Sequence, residues 1–249
     1  MTLSIDLNCD LGEGAGQDAF LMPLISSANI ACGGHAGDEP TMKETVRLAK
    51  LASVCIGAHP GFEDRENFGR LDIALPPEEI YALVVRQVSA LKKIADASGT
   101  SLTHVKPHGA LYNMAARNPL IAKSVAEAVR ASGEQLMLFG LAGSELVTAG
   151  INAGLRVARE VFADRMYQAD GSLVPRSQPG ALHHDDDKMV GQVLDMVKRG
   201  VVKTRDGVEI AVQADTICLH GDGPHAVHFA KTLRQALKDA GVEVKSCSG

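Results

Sequence analysis

The sequence predicts one α/β domain whose parallel strands close into a barrel, and three observations predict it. Short runs of β-branched and other apolar residues alternate with amphipathic stretches from end to end. A length of 249 residues suits a single α/β barrel without demanding a second domain. Nearly every strand-like run also ends in ionisable residues, the arrangement expected where strand C-termini open on one face. An open, doubly wound sheet is the alternative arrangement of the same units.

Taken in order, strands are expected over 2–8, 27–32, 54–59, 102–107, 136–141, 156–162 and 215–220. Asp38 with Pro40 opens a helix over 41–53. Pro77 opens a long one over 78–97 that Gly99 closes, and Asn118 with Pro119 opens another that Gly133 ends. Ser144 heads a shorter helix, Asp185 to Asp187 put negative charge at the start of 186–199, and Gly223-Pro224 leads into 225–240. Two loop insertions interrupt the alternation, at 60–76 and at 163–184, the latter turning at Asp170-Gly171; a hairpin over 201–212 turns at Asp206-Gly207. No internal repeat or linker divides the chain, so 1–249 reads as one domain.

Composition narrows the function. Three Tyr, six Phe and no Trp leave few flat rings for stacking on glycans or single-stranded nucleic acid, which favours a small polar substrate. A formal net charge of −5 with scattered Lys and Arg offers no basic stripe for nucleic acid or an anionic membrane. The apolar stretch 136–155 is interrupted by Ser144, Glu145 and Asn152, and no leader opens the chain, so a cytoplasmic protein is expected. Five Cys without CxxC spacing indicate neither a disulfide framework nor a cysteine zinc site; four lie in apolar runs and are expected to pack as small hydrophobes. Self-association is left open.

The chemistry collects at strand ends. Asp6, Asn8 and Asp10 alternate on the first strand and share a face, with Glu13 just beyond. Facing inward, they suit a hard cation or a general base. Cys32-Gly-Gly-His35, Gly57-Ala-His59-Pro-Gly61 and His104-Val-Lys106-Pro-His108 close the next clusters, followed by Glu160, Asp164 and Arg165, and by His220-Gly221-Asp222-Gly223. In a parallel barrel these converge on one pocket, which argues for an enzyme. For a lone histidine such as His104 or His183 a structural role is the plainer reading. His35, His59, His108 and His220, each flanked by Gly at a strand end, read as site residues. Lys106 suits either an ion pair or an electrophilic role. His220-Gly221-Asp222-Gly223, running into a helix, offers backbone N–H groups to an anion or phosphate. No GxxxxGK[ST], GxSxG or HExxH occurs, so the chain carries no P-loop, nucleophile elbow or zincin helix.

The segments from Asp6 to Gly14, Ala28 to Asp38, Gly57 to Gly61 and Val105 to Asn113 together resemble the lactam-utilisation (LamB/YcsF) family, and the likeness continues through Glu160 to Tyr167, Gly171 to Arg176 and Cys218 to Asp222. It covers almost the whole chain. The resemblance implies a seven-stranded, TIM-like (β/α) barrel of the glycoside hydrolase/deacetylase type. It also implies a part in ATP-dependent 5-oxoprolinase activity: opening the lactam of 5-oxo-L-proline to L-glutamate with ATP as cosubstrate of a complex, alongside 5-oxoprolinase subunits B and C. On that reading Asp6 or Asp10 activates water, Lys106 stabilises developing negative charge, and His108 and His59 carry protons. By analogy with related deacetylases, Asp10, His59 and His108 are the candidate ligands of a divalent metal. Arg165 or Arg176 holds the substrate carboxylate, while Asn8, His35, His220, Gly221 and Asp222 complete the substrate or phosphate contacts. The alternatives are a stand-alone metal-dependent deacetylase or amidohydrolase acting on a small N-acyl substrate, and a noncatalytic substrate-binding subunit.

Overall fold

The structure, a computed structural model, describes residues 3–221, 223 and 225–247. Six parallel strands follow in order around a barrel: β1 (Leu3–Leu11), β2 (Ser27–Ala31), β3 (Cys55–His59), β4 (Leu102–Val105), β5 (Met137–Leu141) and β6 (Arg156–Phe162). An antiparallel hairpin of β7 (Val201–Lys203) and β8 (Glu209–Ala211) intervenes. Then β9 (Thr216–Leu219) pairs with both β6 and β1, so seven strands close and the open-sheet alternative is excluded. A short β10 (Val242–Val244) adds beside the start of β1, with Leu3 opposite Val242.

Among the described residues, eight helices accompany the strands: α1 (Asp18–Leu21), α2 (Glu39–Ala52), α3 (Pro77–Ala97), α4 (Gly109–Arg117), α5 (Pro119–Ser132), α6 (Glu145–Asn152), α7 (Asp186–Leu194) and α8 (Ala226–Asp239). The boundary residues expected from sequence do cap them. The side chains of Asp38, Asn118, Ser144 and Asp185 each accept a backbone N–H of the first turn. Along α3, the buried residues Ile80, Leu83, Val84, Gln87, Val88, Leu91, Ile94 and Ala95 repeat at helical spacing, which lays one face on the barrel. Gln87 on that face both donates to and accepts from the Gly61 backbone, fixing the base of the loop after β3.

The strand periodicity sorts the first strand into two layers. Leu7, Cys9 and Leu11 join the apolar core outside the barrel, whereas Asp6, Asn8 and Asp10 are buried on the other parity. Met137, Phe139 and Ala158 form a small separate apolar cluster, with Cys247 packed against it. Above this, His104 stacks on Phe139 at 4.2 Å between ring centroids. The imidazole takes the space that a side chain on Gly57 would need: a Cβ there would lie 2.1 Å from His104 Nε2. Gly57→Ala is therefore expected to destabilise the fold by about 3 kcal/mol, the upper range for overpacking, read as a lowered midpoint in urea unfolding.

The structure corrects several boundaries. β1 continues to Leu11 rather than stopping at 8, because β2 and β9 pair with it through Leu11 and Cys9, carrying Asp10 on the strand. The α4 helix begins immediately after His108 and was not among the expected helices; α1 and β10 were also absent from the expectation. The final stretch of 186–199 widens into a π-helical turn over Asp195–Arg199. Both expected turns are present, with Gly171 at φ +83° and Gly207 at φ +82°.

Candidate active site

A cavity of about 730 Å³ opens at the C-terminal ends of the barrel strands. Asp10, Glu13, His59, Lys106, His108, Tyr112, Arg165, Arg176 and His220 are among its lining residues. The sequence clusters thus converge on one site.

Lys106 forms the centre of the floor. Its Nζ lies 2.9 Å from Asp10 Oδ1, 2.8 Å from Glu160 Oε1, 3.2 Å from Asn8 Oδ1 and 3.0 Å from Cys218 Sγ. Burial alone would lower the ammonium's proton affinity, but the facing acidic groups outweigh it and hold Lys106 well above its ordinary value. Asp10 is held well below the usual carboxylate range: burial opposes this, and His59 and Lys106 overcome it. The floor is therefore a pair of carboxylates clasping one ammonium.

Beside it lies a second cluster. Glu13 Oε1 is 3.1 Å from His35 Nε2, 3.8 Å from His59 Nε2 and 3.5 Å from His108 Nδ1, and the last two nitrogens are 2.9 Å apart. His59 Nδ1 donates to the Lys106 carbonyl and His108 Nε2 donates to the Phe68 carbonyl, each at 2.8 Å. Two neutral rings in those tautomers would present lone pairs to each other, so a positive charge is needed between them. Burial lowers the proton affinity of both His35, to about 2, and His108, while Asp10 outweighs burial and raises that of His59.

The cluster also fits a divalent metal. The ligand-capable atoms of Glu13, His35, His59 and His108 all lie within 4.8 Å of one another, and four donors about 2.1 Å from a tetrahedral ion are separated by roughly 3.4 Å. His59 and His108 each use the other ring nitrogen on a backbone carbonyl, as metal-ligating histidines do. His35 lacks this support: its Nδ1 is buried without a hydrogen-bond partner among the described residues. Asp10, expected among the ligands, sits at the edge of this set. Its Oδ2 is 3.4 Å from His59 Nε2, while Oδ1 is committed to Lys106 and Asn29.

Two expected site residues lie below the cavity. Asp6 accepts hydrogen bonds from Ser26, Ser27 and Thr216, and is not part of the lining. Asn8 spends both acceptor positions on Lys106 and Asn29 and both N–H groups on Glu160 and Thr216, so nothing remains for a ligand. Its role here is to brace the floor.

At the mouth, Asp164 accepts from His220 Nδ1 at 2.8 Å, and Arg176 Nη2 lies 2.6 Å from His220 Nε2. Arg165 donates to the Val174 carbonyl, and its Nε is buried without a partner among the described residues. Gly221 lines the cavity; Asp222 lies outside the described residues. Tyr112 lines this cavity and Tyr167 a smaller adjoining one, where its hydroxyl accepts from the Phe162 N–H. Three of the five cysteines, Cys9, Cys32 and Cys218, are buried where four were expected; Cys55 and Cys247 are half-buried, and Cys218 also meets Lys106.

From sequence alone Glu13 and Glu160 are strand-end residues without partners, and His35 is a substrate or phosphate contact. Glu160 did leave a signal: it shares a strand face with Ala158 and Phe162 in Arg156–Phe162, and a charge on that apolar face needs a buried counter-charge. His104 has the structural role expected of it. Its Nε2 donates to Asn29 Oδ1 at 2.8 Å, and Asn29 Nδ2 donates to Asn8 and Asp10.

Burial keeps His104 neutral, lowering its value to about 3. Between the unfolded value near 6.5 and this one, the unfolded chain binds one more proton, so stability is full above about 6.5 and falls as pH drops towards 3. The expected loss over that window is of order 4–5 kcal/mol. His104→Gln should flatten the pH dependence of urea unfolding between pH 6.5 and 4.

The LamB/YcsF family model matches residues 5–249. The chain is 57% identical over 244 residues to the A subunit of 5-oxoprolinase from Erwinia tasmaniensis, covering 98% of this chain and all of the relative. It is 52% identical over 249 residues to the corresponding 5-oxoprolinase chain of Bacillus licheniformis, covering 98% of both. The crystal structure of the lactam utilization protein from Thermus thermophilus superposes with a TM-score of 0.91 at 46% identity, covering 98% of this chain and 99% of that one. Peptidoglycan deacetylase PdaC from Bacillus subtilis has the same barrel fold, with a TM-score of 0.51 at 15% identity, covering 99% of this chain and 89% of that one. No helix among the described residues is long and apolar enough to cross a membrane.

Proposed function

This chain belongs to the LamB/YcsF family, and from that premise we propose that it is the ring-opening subunit of an ATP-dependent 5-oxoprolinase, converting 5-oxo-L-proline to L-glutamate together with subunits B and C. The observation that carries the reading is the floor of the cavity, where Lys106 and Asp10 adjoin the Glu13, His35, His59 and His108 cluster. The full-length relatives, both named for 5-oxoprolinase, supply the substrate.

Ring opening adds the oxygen of water to the lactam carbonyl carbon, breaks the C–N bond and delivers a proton to the departing nitrogen. A five-membered lactam resists water, and ATP spent by the complex activates its carbonyl. The chain itself carries no P-loop. Asp10 presents Oδ2, the oxygen free of Lys106, to a water and takes its proton. Lys106 faces the oxygen on which negative charge develops, where a buried ammonium is worth most. His59, whose proton affinity is raised, passes a proton from Nε2, when Nε2 holds no metal, towards the departing nitrogen. Arg165 and Arg176 hold the substrate carboxylate from the mouth, with His220 and Gly221 completing the contacts. Glu13, His35, His59 and His108 are the residues that would hold a divalent ion, which supplies Lewis acidity at the carbonyl or at water. Asp6 is assigned no contact with substrate.

Glutamate formation from 5-oxoproline and ATP, measured with and without subunits B and C, tests the proposal. Turnover only in the complete mixture is expected. Turnover by this chain without ATP would establish a stand-alone amidohydrolase instead. Undiminished 5-oxoproline binding and undiminished turnover after loss of Asp10, His59 and Lys106 would establish a delivery subunit.

A further inference from the structure

The loop after β3 has one residue in an unusual conformation. Phe68 adopts φ +56°, the left-handed region that an aromatic side chain rarely enters; Ser53, the only other non-glycine with positive φ among the described residues, ends a helix, where that conformation is common. Phe68 ends no helix. Its neighbourhood is tightly determined: Phe68 N–H donates to the Arg65 carbonyl, Gly69 N–H to the Asp64 carbonyl and Arg70 N–H to the Asn67 carbonyl.

The turn brings two successive carbonyls onto the start of α4. Phe68 O accepts from His108 Nε2 at 2.8 Å and Gly69 O accepts from Ala110 N–H at 2.9 Å. The approach admits no side chain: a Cβ on Gly69 would lie 2.7 Å from His35 Cβ, and one on Gly109 would lie 2.6 Å from Gly69 O. The Phe68 ring stands edge-on to both His35 and His108, which stack on each other at 3.6 Å. Arg70, a cavity-lining residue, lies over the same ring.

We propose that Phe68 is a positioning residue for His108: its left-handed turn aims the carbonyl that fixes the His108 proton on Nε2, so that the Nδ1 lone pair faces His59 Nε2 and the space bounded by Glu13 and His35. A carbonyl only accepts, so this bond selects one of the two neutral tautomers. The strained backbone persists because the loop and α4 over-determine it, the usual circumstance of such a residue at a functional site. The inference rests on the proposed role of the cluster, but its primary readout needs neither turnover nor a metal.

The test is the long-range proton–nitrogen spectrum of His108 in the full-length, metal-free protein, compared among wild type, Phe68→Gly and Phe68→Val. Glycine keeps the carbonyl and enters the left-handed region freely, whereas a β-branched residue resists it. Wild type and F68G should show the proton on Nε2, and F68V should lose that preference. Zinc affinity by chelator competition should stay within about threefold in F68G and fall roughly 10- to 100-fold in F68V, the range for losing such an outer hydrogen bond. A wild-type proton on Nδ1 would overturn the proposal even if F68V failed to fold. An F68V spectrum and zinc affinity equal to wild type would also overturn it, as would an F68G loss as large as that of F68V. A wild type that binds no zinc overturns the metal role of the cluster, and the tautomer still decides the role of Phe68.

Discussion

Replacing Lys106 with methionine is expected to reduce glutamate formation in the reconstituted system by at least ~10³-fold and to lower stability by about 3–5 kcal/mol. The two effects share one cause. The Lys106 side chain is 3% exposed and bridges Asp10 and Glu160, so methionine fills the volume while leaving Glu160 buried with no counter-charge and Asp10 with His59 alone. Adding Glu160→Gln to Lys106→Met should recover part of the stability, because the orphaned charge is removed, and none of the turnover. Urea unfolding and turnover on the same samples separate the effects. If Lys106→Met kept turnover within tenfold of wild type, the ammonium would not be at the reacting centre.

Asp10→Asn is expected to lower kcat about 10³-fold, within the range for losing a general base. The variant can still accept from Lys106 and Asn29 through one oxygen, but it points an amide N–H at the imidazole cluster where a carboxylate stood. Asp6→Asn makes the contrast. It places donors among the three hydroxyls that donate to Asp6, which should cost about 1–3 kcal/mol of stability, and its kcat should stay within about threefold. Equal losses of kcat in the two variants would contradict the placement of Asp10 alone at the cavity.

The barrel was legible because alternation and capping are local. All seven barrel strands were anticipated to within three residues at either end, and Asp38, Asn118, Ser144 and Asp185 marked real helix starts. What escaped depended on distant chain. Nothing within residues 2–8 says that β2 and β9 hold β1 extended to Leu11, and α4 was hidden in a motif dense with Pro, His and Gly. The site divides in the same way. Alternation put Asp6, Asn8 and Asp10 on one face but gave no depth, and depth decides which of them meets the cavity. Glu13 lies past the strand end, beyond Gly12 at φ +73°, where period-two reasoning no longer gives a direction. His35 joins His59 and His108 only because the loop folded around Phe68 presses the two rings of His35 and His108 together.

The closure of β9 onto β1 also governs how the chain can fold as it is made. Asp6 and its neighbour Thr216 are 210 residues apart in sequence, so the partner that seals β1 emerges from the ribosome long after β1 itself. Until then the first six strands can form only an open sheet with two bare edges, and the carboxylates that later share Lys106 and the threonine have no completed enclosure. Folding is therefore expected to be slow and to complete late, with the exposed edges of the unfinished sheet as its main aggregation hazard.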